Sequence, residues 1–227
     1  MKTRRFEVAN KVVDGKGLMR YDEATGTETP VKWDVEDECL PVYKTEHAAG
    51  ADFCAAEDTV IPSIWKAWQS ATVSGAKGLG NWLTDLIENN GKSESTISDE
   101  MRKSTEKMFR PTLVHTGIKC KLEEDEVLEI YNRSSGPKKG LVLANSVGII
   151  DADYYGCDAT DGEIMFAFYN FMPFDITIKK GDAIGQGLIK KFIRADVAVT
   201  VSGEEKSTLT ATERTGGFGS TNLNNLL

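Results

Sequence analysis

The stretches that decide the fold lie between residues 112 and 193: Leu113-Val-His-Thr-Gly-Ile-Lys-Cys120, Glu126-Val-Leu-Glu-Ile-Tyr131, Ile164-Met-Phe-Ala-Phe-Tyr169, Asp175-Ile-Thr-Ile178 and Ile184 to Ile193. They mix alternating with continuous apolar positions, which is typical of strands with one or both faces buried. Turn-forming residues separate them, at Ser134-Ser-Gly-Pro137, Asp158-Ala-Thr-Asp-Gly162 and Lys179-Lys-Gly-Asp182. Short strands at this spacing predict an all-β sandwich or barrel.

Residues 63–110 break this pattern and predict an α-helical insertion. One apolar stripe recurs at intervals of three and four residues, as on one face of a helix: Leu79, Trp82, Leu83, Leu86 and Ile87. A second, looser stripe contains Ile97, Met101, Met108 and Phe109. The large apolar side chains of the insertion must be buried against another protein surface. We expect the two helices either to pack on each other and on the β domain, or to form a docking surface for another protein.

Composition limits the remaining possibilities. The 227 residues are 40% hydrophobic and 27% charged, as in an ordinary globular protein. No apolar run approaches the roughly 20 residues of a membrane helix, so we expect a cytoplasmic location. A net charge of −8 argues against nucleic acid as a partner. The four cysteines lack a C-x-x-C pair, which predicts small buried side chains and not a zinc site.

These patterns predict a single domain over residues 1–227. It carries an amino-terminal extension at 1–39, the helical insertion at 63–110 and a polar, glycine-rich arm at 203–227. The arm has little hydrophobic periodicity, and we expect it to be mobile.

Five segments of the chain resemble, in the right order, the five sequence motifs of trimeric dUTPases. They are His47-Ala-Ala-Gly-Ala-Asp-Phe53 with Ile61-Pro62 downstream, Asn132-Arg-Ser-Ser-Gly136, Asn145-Ser-Val-Gly-Ile-Ile-Asp-Ala-Asp-Tyr-Tyr-Gly156, Lys180-Gly-Asp-Ala-Ile-Gly-Gln186 and Arg214-Thr-Gly-Gly-Phe-Gly-Ser-Thr221. The resemblance implies a distorted jelly roll, a homotrimer with shared active sites, and hydrolysis of dUTP to dUMP and pyrophosphate. That reaction keeps uracil out of DNA and supplies dUMP for thymidylate synthesis.

The third motif of the family supplies the base and the nucleoside site. The resemblance implies that Asp151 is the catalytic base, because it matches the residue that aligns a water with the α-phosphorus. Asn145, Gly148 and Ile150 belong to the hairpin that reads uracil through main-chain groups. Tyr154 matches the ring that lies against deoxyribose and excludes a 2′-hydroxyl. On residue type alone, Tyr154 is a half-buried aromatic.

The remaining motifs of the family bind the phosphates and close the site. The second motif implies contacts from Arg133, Ser134, Ser135 and Gly136, and the fourth implies one from Gln186. Asp52 matches the first-motif acid, which reaches Mg²⁺ through a water. Apart from the resemblance, Asp52 could instead have a structural role, in which its side chain caps a turn. The arm would stack Phe218 on uracil and bring Arg214, Gly219, Ser220 and Thr221 to the phosphates.

The sequence departs from the usual family pattern in three places. Ala183 stands where the fourth motif usually has a basic residue, the arm is one residue shorter, and residues 157–162 look like an insertion. The last two features also resemble a branch from Gram-positive bacteria and their phages. Two alternatives remain: a phage dUTPase with an added protein-binding regulatory role, and a dCTP deaminase or bifunctional enzyme of the same fold. In the deaminase alternative, the catalytic glutamate would fall near Ala167. Alanine cannot act as a general acid or base, which disfavours deamination.

Overall fold

The structure is a computed structural model that describes residues 5–10, 19–22, 27–35, 40–66, 68–69, 110–194, 199–201 and 204–206. These residues form fifteen strands: β1 (Arg5–Val8), β2 (Met19–Asp22), β3 (Thr27–Pro30), β4 (Ala51–Cys54), β5 (Thr59–Ile61), β6 (Thr112–His115), β7 (Ile118–Lys121), β8 (Glu126–Asn132), β9 (Leu141–Leu143), β10 (Gly148–Asp151), β11 (Met165–Asn170), β12 (Ile176–Ile178), β13 (Ala183–Lys191), β14 (Val199–Val201) and β15 (Glu204–Lys206).

Two sheets carry most of the architecture. One has the strand order β10-β8-β13-β4, and the other has the order β6-β11-β9. Four two-stranded ladders complete the fold: β1-β7, β2-β3, β5-β12 and β14-β15. All strand pairs are antiparallel. The predicted all-β architecture is confirmed.

A single aromatic-rich core is shared by the two larger sheets. Phe53 from β4 lies 5.7 Å from Phe166 of β11, measured between ring centroids, and Phe166 stacks on Phe168 at 6.1 Å. Leu128 of β8 and Val114 of β6 are fully buried in the same cluster. The continuous apolar run of β11 is explained by this position, because five of its six residues are buried.

The predicted strand from Leu113 to Cys120 is interrupted. β6 ends at His115 and β7 begins at Ile118. Gly117 has a φ of +67°, a left-handed conformation that favours glycine. The Thr116 hydroxyl donates to the carbonyl of Ile164 at 2.6 Å, which holds the corner in place. The chain therefore changes from one sheet to another at a point that the apolar pattern did not mark.

The predicted amino-terminal extension contributes a strand to the domain. β1 pairs with β7 through four residues, from Arg5 opposite Lys121 to Val8 opposite Ile118. Trp33 is buried and its ring lies 5.2 Å from that of His115. Part of the segment 1–39 therefore packs on the β domain itself.

The described beginning of the segment 63–110 is helical. Residues 64–66 and 68–69 are helical, and the Trp65 amide donates to the Ser63 hydroxyl, as at a helix amino terminus. Ser63 also donates to the carbonyl of Met172 at 2.6 Å, and Asp175 accepts a hydrogen bond from the Ser63 amide. Residues 70–109 lie outside the described residues. No helix in the described part of the chain is long and apolar enough to cross a membrane.

The two ends of the insertion meet at one end of β11. Ser63 bridges Asn170, the last residue of β11, and Thr112 pairs with Phe168, two residues earlier. The chain therefore leaves and re-enters the β domain at one place, as an insertion into a loop does.

The described cysteines are mostly interior, as predicted. Cys120 and Cys157 are buried, Cys54 is partly buried, and Cys39 lies outside the described residues. Burial, together with the nearby carboxylate of Glu126, raises the pKa of Cys120 to about 12. Its thiol is therefore protonated at neutral pH and inert as a nucleophile.

We expect Gly185→Ala to destabilise the protein, because a Cβ on Gly185 would overlap the Phe166 ring in the core. Overpacking of this kind costs about 1–3 kcal/mol. Gly50→Ala is the matched control, since its added Cβ would meet only the ends of the Leu188 and Gln186 side chains at 3.0 and 3.2 Å. Urea unfolding of the two variants measures the difference. Equal midpoints would contradict the close packing of β13 on Phe166.

Candidate active site

Asp151 ends strand β10 and begins a 3-10 turn over Ala152–Tyr154. It pairs with Val127 of β8 and is partly buried. Its side chain lines an open cleft of about 850 Å³. The same cleft is lined by Glu124, Asp125, Asp153 and Arg194, together with the apolar Leu122, Ala152 and Phe192. A carboxylate at the wall of an accessible cleft can orient a water molecule and accept its proton.

The predicted base-reading hairpin forms the edge of the main sheet. Among the described residues, β10 pairs only with β8, so its second edge presents main-chain donors and acceptors. Gly148 is buried against Ile130, where any side chain would overlap. Asn145 belongs to the tight turn before β10, in which Ser146 has a φ of +55°. Ile150 packs against the core and orients the strand.

Tyr154 is more deeply buried than the sequence indicates. Only 4% of it is exposed, and its hydroxyl donates to the carbonyl of Glu163 at 2.8 Å. The same hydroxyl accepts a hydrogen bond from Thr160 at 2.9 Å. The polar end of the ring is therefore occupied by protein groups, at the end of the 3-10 turn that follows Asp151. Its contact with deoxyribose stays a prediction.

The predicted phosphate-binding residues gather at another place in the same sheet. Arg133 follows the last residue of β8, and one of its guanidinium nitrogens lies 3.2 Å from the Asp52 carboxylate. Asp52 and Gln186 face each other in the register of β4 and β13. Arg133 thus lies at the junction of the first, second and fourth motifs.

Arg133 also lines a small cavity of about 70 Å³ with Ser135 and Gly136. Ser134 is exposed at the tip of the same turn, and Gly136 donates from its amide to the carbonyl of Arg133. Lys139 lines this cavity too. Sequence reasoning missed Lys139, although two consecutive lysines that follow the R-S-S-G string after one proline were a signal for it.

The two groups of predicted site residues are far apart in one chain. Asp151 lies opposite Val127, whereas Arg133 comes six positions later, beyond the other end of β8. At about 3.3 Å per residue, the backbone separation along the strand is about 20 Å. The two groups therefore lie toward opposite ends of β8 within one copy of the chain.

A buried polar network behind the 3-10 turn was also missed. The Glu163 carboxylate is completely buried, accepts from the Gly117 amide at 2.9 Å and lies 3.1 Å from His115 Nδ1. Lys119 forms a buried ion pair with Asp161 at 2.7 Å. Local sequence pattern could not reveal the acidic neighbour of His115, because 48 residues separate it from Glu163.

The predicted metal residue is a single carboxylate. No group of three or more histidine, cysteine or acidic side chains in the described ranges could hold a metal ion. One acid is compatible with Mg²⁺ bound mainly by ligand phosphates, because Mg²⁺ keeps several waters. The arm residues Arg214, Phe218, Gly219, Ser220 and Thr221 lie outside the described residues.

Comparison with known proteins adds an independent line of observation. A family model described as dUTPase matches residues 101–222, a range that includes the second to fifth motifs. The deoxyuridine 5'-triphosphate nucleotidohydrolase of Lactococcus lactis is 44% identical over 110 residues, which are 48% of this chain and 68% of that protein. The chain belongs to the dUTPase family. The nucleotidohydrolase of the same name from Rickettsia felis is 32% identical over 186 residues, which are 81% of this chain and 88% of that protein.

The fold agrees with this assignment to the dUTPases. The crystal structure of dUTPase from Streptococcus mutans matches with a TM-score of 0.50 and 28% sequence identity, and covers 72% of this chain and 94% of that chain. The predicted jelly-roll type of fold is confirmed. The relatives favour the dUTPase prediction over the deaminase alternative. In addition, Ala167 is buried within β11, where it carries no acid or base.

Proposed function

We propose that this dUTPase hydrolyses dUTP to dUMP and pyrophosphate in active sites that are shared between copies of the chain. The observation that carries the shared site is the separation of Asp151 from Arg133 along β8. The base and the phosphate-binding cation must both reach one nucleotide. A site shared between copies brings the two groups together without requiring one nucleotide to span about 20 Å of strand. A homotrimer, the assembly implied by the sequence motifs, satisfies this requirement.

Asp151 acts as the general base. It holds a water beside the α-phosphorus, accepts the proton as the new P–O bond forms, and pyrophosphate leaves as the bond to the bridging oxygen breaks. The open cleft beside Asp151 gives the water access. A positioned base of this kind contributes about 10²- to 10⁴-fold to the rate.

The nucleoside half of the site belongs to the copy that supplies Asp151. Uracil pairs with the free edge of β10 and the turn at Asn145, where the main chain can offer a donor and acceptors in fixed positions. Tyr154 lies beneath the deoxyribose. Its buried position supports this role, because a steric wall is selective only when it does not yield.

The phosphate half belongs to a second copy. Arg133 supplies charge and planar donors, while Ser134, Ser135, the Gly136 amide and Gln186 supply directed hydrogen bonds. Lys139 adds a cation on the same turn, and so offsets the missing basic side chain at Ala183. Mg²⁺, held by phosphate oxygens and through a water by Asp52, would neutralise charge that develops on the leaving group. Arg214, Phe218, Gly219, Ser220 and Thr221 close over the bound nucleotide.

The substrate assignment is tested by measuring pyrophosphate release from dUTP, UTP, dTTP and dCTP with Mg²⁺. We expect dUTP to be strongly preferred, because Tyr154 excludes the 2′-hydroxyl and the β10 hairpin leaves no space for the thymine methyl. Comparable turnover of dCTP, or ammonia release from it, would point to the deaminase alternative.

Shared sites are tested by mixing two inactive variants. Asp151→Asn and Arg133→Gln each lack one half of the site, and we expect each alone to lose about 10²-fold or more in kcat. After joint refolding at equal amounts, about one quarter of the sites should contain an intact Asp151 and an intact Arg133. Recovery of about a quarter of the wild-type activity is therefore expected. The doubly substituted chain mixed with the wild type, at the same total concentration, is the matched control. No recovery in verified mixed oligomers would show that each site lies within one copy.

The insertion is expected to lie apart from the chemistry. At its beginning, Trp65 donates a hydrogen bond to the carbonyl of Phe171 and Lys66 donates one to Asp175, while Trp65 and Trp68 are exposed. We expect replacement of residues 64–109 by a short Gly-Ser linker to leave a soluble trimer with kcat for dUTP within about threefold of the wild type, a barrier change below about 1 kcal/mol. Light scattering and steady-state kinetics measure both properties. A trimeric variant without turnover would instead place the insertion at the active site.

A further inference from the structure

The turn formed by residues 157–162 packs behind the Tyr154 ring. Thr160 Oγ1 donates to the Tyr154 hydroxyl at 2.9 Å, and that hydroxyl donates in turn to the carbonyl of Glu163 at 2.8 Å. Cys157 Sγ lies 3.2 Å from Thr160 Oγ1 and packs against its other side. The Tyr154 hydroxyl thus has both a donor and an acceptor from one short segment.

This turn is itself rigid. The Asp161 amide donates to the carbonyl of Cys157 at 2.8 Å, and the Asp161 carboxylate forms the buried ion pair with Lys119. Gly162 has a φ of +80°, and a Cβ there would lie 2.7 Å from the Tyr154 carbonyl oxygen. Only glycine allows so close an approach of the two backbone segments. The segment that holds the Tyr154 hydroxyl therefore has little freedom to move.

We infer that Thr160 is a positioning residue for sugar discrimination. By holding the hydroxyl of Tyr154, it prevents the ring from retreating when a nucleotide with a 2′-hydroxyl enters. The inference rests on the proposed function, in which Tyr154 lies beneath the deoxyribose. It also gives a role to residues 157–162, which the sequence motifs leave unexplained. Thr160 does not touch the substrate and acts only through Tyr154.

The experiment compares kcat/KM for dUTP and for UTP in Thr160→Val, which keeps the shape of the side chain and removes its hydroxyl. We expect the dUTP-to-UTP ratio to fall by about twofold to tenfold, the range that corresponds to one lost hydrogen bond, mainly through better use of UTP. The kcat/KM of Thr160→Val for dUTP itself stays within about twofold of the wild-type value. Thr160→Ser keeps the hydroxyl and retains the wild-type ratio.

Two further variants separate positioning from general loss of stability. Thr59→Val is the matched control, because the Thr59 hydroxyl bonds only weakly to the Glu57 carbonyl, at 3.5 Å, and lies on β5. Its ratio stays unchanged. Tyr154→Phe lowers the ratio at least as much as Thr160→Val, and adding Thr160→Val to Tyr154→Phe produces no further change, because the shared hydrogen bond is already absent.

Two results would overturn the inference alone: an unchanged ratio in Thr160→Val, whatever Tyr154→Phe does, or equal losses for dUTP and UTP that accompany a lower melting temperature. If Thr160→Val does not fold, the Tyr154→Phe ratio and the Thr160→Ser ratio decide the question. Absence of dUTP hydrolysis by the wild-type protein would overturn the proposed function and this inference together.

Discussion

The hydrogen-bond ladders on the two sides of β8 determine where Asp151 and Gln186 lie. β8 pairs with β10 on one side and with β13 on the other, and both registers are continuous. The first ladder fixes Asp151 next to the beginning of the strand, while the second fixes Gln186 near its end. Because a strand cannot shift by one residue without exposing its buried face, these positions are determined by the core. The distance between the two halves of the site is therefore a property of the sheet and not of a flexible loop.

The core maintains this register through close packing of aromatic side chains against glycines. Gly185 and Gly187 of β13 lie directly over Phe166 and Phe53, where a side chain would overlap the rings. Behind the 3-10 turn over Ala152–Tyr154, the fold instead buries charge, with Lys119 paired to Asp161 and Glu163 held by the Gly117 amide. Burying charged groups costs free energy that pairing only partly offsets. Each charged group in this network has specific partners, and these partners hold the turn in one position.

The sequence predicted the features that depend on local pattern. Apolar pattern identified the segments that form β6 to β8 and β11 to β13, six of the fifteen described strands, and the motif around Asp151 identified the hairpin that contains β10. The sequence did not predict the features that depend on pairing between segments far apart in the chain. The break at Thr116 and Gly117 arises from a bond to Ile164, and the partners of His115 and Lys119 lie more than 40 residues away in the chain. The burial of Tyr154 likewise depends on Thr160 and Glu163, in a segment where the family resemblance gave only an insertion.

The charges that line the cleft beside Asp151 favour the proposed site shared between copies. The cleft beside Asp151 is lined by three more acids, Glu124, Asp125 and Asp153, and by one cation, Arg194. A triphosphate carries several negative charges, so the field of this cleft opposes its approach. The cations that would reverse the field, Arg133 and Lys139, lie beyond the other end of β8. In the proposed assembly, the positive surface around Arg133 and Lys139 of one copy would face the negative cleft of another, where these cations would offset the charge of the phosphates.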